Sequence, residues 1–91
     1  MINFDFYKYL NLKDNQVLKI KLKSKDDWLF VKRVSKSMIQ SNQPAHTPIT
    51  KINFEVIKDL DLYKRNKHDE DNLNEIMAEP EEVEQVEIIE V

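Results

Sequence analysis

Glycine is absent from all 91 residues, where average usage of about 7% would place roughly six. A P-loop, a dinucleotide-binding fingerprint, a standard EF-hand loop and a GxxG clamp each need glycine where backbone must approach a ligand or take positive φ. None of these is available. Cysteine is absent too, which removes disulfide frameworks, thiolate metal sites and cysteine nucleophiles, and leaves folding to packing alone. No apolar run approaches the roughly 18 residues of a membrane span and no signal peptide is visible, so a soluble, cytoplasmic protein is expected. Histidine is limited to His46 and His68. No serine sits in a recognisable nucleophile setting, so no catalytic residue is assigned and no enzyme is expected. His68-Asp69-Glu70-Asp71 contains oxygen and nitrogen ligands. Consecutive residues on one strand or helix cannot all converge on an ion, however, and zinc-type spacings are missing, so neither metal nor cofactor is expected.

What the chain has in abundance is sorted charge. All 14 Lys and Arg lie in residues 1–67 with seven acids, giving +7, whereas residues 69–91 carry ten acids and no base, giving −10; together they make the net −3. All eight aromatics are also in the front part. This asymmetry predicts a basic, aromatic-rich head (1–67) and an acidic tail (68–91) that folds on the head or on a partner. Lysine, asparagine and isoleucine supply 12 + 8 + 9 = 29 of the 91 residues. Their AT-rich codons suggest a low-GC source such as a phage or another mobile element.

The periodicities predict an α+β, mostly β fold: a small antiparallel sheet of three to four strands with short helical turns. Residues 2–12 fit a strand that turns helical, with Asn3 as a candidate N-cap. In 17–23, Leu18, Ile20 and Leu22 alternate with Lys19, Lys21 and Lys23, which places the two sets on opposite faces of a strand. Trp28–Val34 is rich in aromatic and β-branched residues and completes a hairpin over 17–34. Without glycine a tight turn is costly, so a connection of three to five residues is expected. Ser35–Gln40 suggests a helical turn, followed by a loop through Pro44 and Pro48. Residues 49–57 alternate again as a strand, and Ile57, Leu60 and Tyr63 fit a helical turn. In the tail, Leu73, Ile76 and Met77 have helical spacing, Pro80-Glu81-Glu82 fits a helix start, and Val86–Val91 fits an edge strand.

Lys19, Lys21, Lys23 and Lys25 would form a row about 6.5–7 Å apart, able to follow a phosphate backbone. With Lys32 and Arg33 as further cations, and with Trp28 and Phe30 offering faces for stacked bases, they are the candidate nucleic-acid-binding residues. The parity of the hairpin connection decides the position of the aromatics. If 24–27 are unpaired, Lys23 lies opposite Trp28 and Lys21 opposite Phe30. With three or five unpaired residues, Trp28, Phe30 and Val34 join Leu18, Ile20 and Leu22 in the core. The demand of a small core for large side chains favours the second outcome. A plainer role for exposed lysines is to discourage edge-to-edge strand pairing.

The charge order is similar to that of phage-type single-strand-binding proteins, which join a basic aromatic groove to an acidic C-terminal segment, although 67 residues are short for a complete five-stranded barrel. That similarity implies a non-catalytic accessory protein that binds single-stranded nucleic acid and is modulated by its tail. The alternative is a protein-binding module, an antitoxin-like inhibitor or a nucleic-acid mimic, whose tail meets a basic protein surface through Leu73, Ile76, Met77, Glu81, Glu82, Val83, Val86 and Ile89.

Overall fold

The computed structural model describes residues 4–38 and 50–91. Within them, five strands form one antiparallel sheet: β1 (Gln16–Leu22), β2 (Leu29–Lys36), β3 (Ile52–Ile57), β4 (Leu73–Ala78) and β5 (Val83–Glu90), in the order β4-β3-β2-β1-β5. Three single-turn 3-10 segments (Phe6–Tyr9, Glu70–Asn72, Pro80–Glu82) and one short helix, α1 (Leu60–Arg65), connect or cover it. The sheet is thus larger than the three to four strands expected. The extra strands come from the acidic segment, which supplies both edges by pairing β4 with β3 and β5 with β1. The division in charge is not a division in fold.

A short link imposes curvature on the sheet. Ala78 ends β4 and Val83 begins β5, so five Cα steps of at most about 3.6 Å span no more than roughly 18 Å. Across a flat sheet the two edge strands would stand about 19 Å apart, four spacings of about 4.8 Å. The intervening 3-10 turn shortens the reach further. The sheet must therefore curl so that its edges approach. Consistent with this, Ala78 and Val83 are both buried in one core cluster with Leu18, Ile20, Leu22, Val31, Val34, Ile52, Phe54 and Val56. The N-terminal 3-10 segment closes that inner side through Phe4, Phe6 and Tyr9; Phe4 stacks on Tyr9 and meets Phe54 edge-on at 5.7 Å.

The absence of glycine is visible in the turns. No described residue has positive φ, and aspartates start three of the four described helical pieces. Asp5, Asp59 and Asp69 each accept a backbone N–H two or three residues ahead, which satisfies donors that a helix start leaves free. The cap of the first segment is therefore Asp5; Asn3 lies outside the described residues. Six residues (23–28) separate β1 from β2, longer than the expected three to five, because a two-residue turn would need positive φ. β2 runs through Ser35 and Lys36, the start of the stretch where the sequence suggested a helical turn; Met38 is helical, and Ile39, Gln40 and the loop with Pro44 and Pro48 lie outside the described residues. An extra residue at Lys32 breaks the β2 register against β3, so Val31 and Val34 both point inward although they are three apart.

The outer face carries a second cluster: Val17, Ile57 and Tyr63, with Phe30, Leu60, Leu73, Ile89 and Val91 packed against it. α1 delivers Leu60 and Tyr63 to it. The buried Asn72 fixes the start of that helix, accepting the Asp59 N–H and donating to the Asp59 carbonyl, both at 2.8 Å. Burial, reinforced by the Asp14 charge, raises the pKa of the Tyr63 hydroxyl above the ordinary tyrosine value. The folded protein then keeps this proton at a pH where the unfolded chain has lost it. Stability is full below about pH 10 and declines as pH rises through the folded-state value. Thermal unfolding followed from about pH 8 to about pH 11 should show an alkaline decline that Tyr63→Phe makes shallower. An unchanged slope would mean that Tyr63 does not set the decline.

Candidate binding surfaces

The hairpin register is Leu18 opposite Val31, Lys19 opposite Phe30 and Ile20 opposite Leu29. Trp28 and Phe30 therefore belong to the lysine face, and the core-facing placement favoured on packing grounds is corrected. The register also differs by two residues from the four-residue-loop alternative, which put Lys21 opposite Phe30. Packing demand is still met, but on the outside. Phe30 joins the cluster beneath α1, and the Lys19 ammonium lies over the Trp28 ring, 4.6 Å from its centroid, a favourable cation–π geometry.

Of the eight predicted nucleic-acid-binding residues, those on β1 and β2 lie on the outer face, where several are engaged within the fold. Lys19 and Lys21 lie on the outer face of β1, and Lys23, Lys25 and the 37%-exposed Trp28 lie in the following connection. Phe30 is packed below α1. Lys32 donates to the Lys67 carbonyl at 3.0 Å and faces the Tyr63 ring. Arg33 pairs with Glu55 at 3.3 Å. Beside the row, β5 runs antiparallel to β1 with Glu87 opposite Lys19, their charged atoms 3.9 Å apart, and Gln85 opposite Lys21. The Lys23 N–H donates to the Glu82 carbonyl.

The predicted partner-binding residues of the acidic segment are largely used within the fold. Val83 is buried in the inner core with Ile76 and Val86 packed against it, and Leu73 and Ile89 belong to the outer cluster. Met77 is exposed on β4. Strand geometry overrides the helical spacing of Leu73, Ile76 and Met77: Ile76 points inward, Leu73 and Met77 outward. Glu81 and Glu82 sit in the 3-10 turn behind Pro80, where the sequence placed a helix start. Exposed carboxylates continue from there at Glu84, Glu87 and Glu90 along the β5 edge.

Among the described residues no group of three His, Cys, Asp or Glu is placed to hold a metal ion, and no helix is long and apolar enough to cross a membrane. No family model, no curated protein and no solved structure matches this sequence.

Proposed function

We propose that this protein is a non-catalytic binding module that presents a fixed ridge of carboxylates, Glu81 to Glu90, to a basic surface of a partner protein, as an inhibitor or nucleic-acid mimic would. The observation that carries this reading is the position of β5. It is an edge strand, paired among the described residues only with β1, so its acids have open solvent on one side. The lysine row has no such freedom. Lys19 is opposite Glu87, their charged atoms 3.9 Å apart, and the Lys23 backbone is tied to Glu82 in the acidic turn. Adjacent strands are about 4.8 Å apart, inside the roughly 8 Å Debye length at physiological salt. A phosphate backbone laid on the row would have to compete with Glu87 for Lys19.

Single-strand binding remains the second reading, supported by the Lys19–Trp28 pair and the partly exposed Trp28 face. Fluorescence anisotropy of the full chain separates the two, using a labelled oligothymidine of about 30 nucleotides and a labelled polylysine of about 20 residues at low ionic strength. The expected result is salt-sensitive polylysine binding that weakens about tenfold in Glu84→Gln/Glu87→Gln/Glu90→Gln, with a much smaller loss when Asp61, Glu70 and Asp71 are neutralised instead. Oligothymidine binding that disappears in Lys21→Glu/Lys23→Glu would transfer the assignment to nucleic acid. Failure of both probes would discard both readings.

A further inference from the structure

Backbone pairing fixes which groups of β5 face outward. Val91 donates its N–H to the Asn15 carbonyl at 2.8 Å, and in an antiparallel ladder the residues of such a pair bond to each other while those of the next pair turn their N–H and C=O groups away. Carried along the register, Ile89, Glu87 and Gln85 bond to Val17, Lys19 and Lys21 of β1. Val86, Ile88 and Glu90 therefore turn their backbone donors and acceptors to the open edge. Gln16, opposite Glu90, agrees with this phase, since its N–H donates to the Lys13 carbonyl and not to β5. Among the described residues no strand lies on that side of β5.

The side chains of the edge follow the same alternation. Val86 and Ile88 lie opposite Ile20 and Leu18 and so belong to the inner face. Val86 packs on the core, while Ile88 is left 42% exposed. On the outer face Glu87 keeps 58% of its side chain exposed beside Lys19, and Glu84 and Glu90 are exposed toward the two ends. β5 contains no basic residue. Charge on an edge strand discourages pairing with another strand, and charge of one sign does so selectively. It repels a second copy of this chain and attracts a strand of opposite sign.

We infer that β5 takes up an extended segment of the partner protein as a sixth, antiparallel strand in which Lys or Arg alternates with apolar residues. The apolar residues lie beside Val86 and Ile88 and exchange backbone hydrogen bonds with them; the basic ones lie beside Glu87. This rests on the acidic-ridge reading and adds to it the conformation and residue pattern of the partner.

The probe is the peptide acetyl-Lys-Val-Lys-Val-Lys-Val-Lys-amide, titrated into the 15N-labelled full chain. In the free protein the amide hydrogens of Val86, Ile88 and Glu90 should exchange with solvent faster than those of Gln85, Glu87 and Ile89, and saturating peptide should slow them at least about tenfold. N-methylation of the three valines removes the donors that face β5 in this alignment and should weaken binding at least about tenfold, whereas N-methylation of three lysines, whose N–H groups point away, should not. Polylysine separates this inference from the reading beneath it. If polylysine binds and the peptide does not, or if the peptide binds equally well with its valines methylated, the ridge stands and strand addition is overturned. Bound peptide that leaves exchange at Val86, Ile88 and Glu90 unslowed overturns it too. Failure of polylysine and peptide alike discards the ridge reading as well.

Discussion

A chain ending at His68 should fail to fold, whatever the benefit of shedding ten carboxylates. The cut removes β4 and β5, and with them the outer partners of β3 and β1. It also takes Ala78 and Val83 out of the inner core and Leu73, Ile89 and Val91 out of the outer cluster. A domain of this size is held by a margin of roughly 5–14 kcal/mol, at 0.05–0.15 kcal/mol per residue. Burying one large aliphatic side chain is worth about 1.5–3 kcal/mol, so losing several exceeds that margin. Circular dichroism with a urea titration should show no cooperative transition for residues 1–68, while the full chain unfolds in a single step. A truncated chain that retains a sigmoidal transition would mean the basic part folds independently. If it does not fold, the acidic segment cannot act by being displaced as a tail, and its charge has to be tested by point substitution.

Phe54→Ala should cost about 3–5 kcal/mol, a large part of the whole margin. Phe54 has no exposed surface, sits on β3 between β4 and β2 and is met edge-on by Phe4. Truncation leaves a cavity between the curled sheet and the N-terminal 3-10 segment, neither of which can collapse without disturbing β2 or β4. The urea midpoint should fall with little change in slope. Met77→Ala, on the exposed side of β4, should change stability by less than about 0.5 kcal/mol. A loss below about 1 kcal/mol for Phe54→Ala would show that the inner core can repack around the gap.

The alternating strands were the legible part of the sequence. Leu18, Ile20 and Leu22 and the β3 residues Ile52, Phe54 and Val56 all face inward, because apolar residues at a period of two share one face of a strand and scatter around a helix. β4 was not legible: six residues are too few for Leu73, Ile76 and Met77 to distinguish a helix from a strand, and the choice is made by the open edge of β3. The hairpin register also escaped, because it depends on how long a glycine-free connection must be and on α1 covering Phe30 from outside. Of the candidate ridge, the edge strand over Val86–Val91 was legible, and its pairing with β1 was not.

The meander places a partner of β1 far along the chain. Gln16 pairs with Glu90, a separation of 90 − 16 = 74 residues, and such distant pairings slow folding because loop closure must precede their reward. During synthesis β1, β2 and β3 can associate early, yet the outer side of β1 stays bare until residues 83–90 clear the ribosome. Over that interval the exposed Val17–Leu22 backbone is the part of the nascent chain most open to capture by a chaperone or by another unfinished copy.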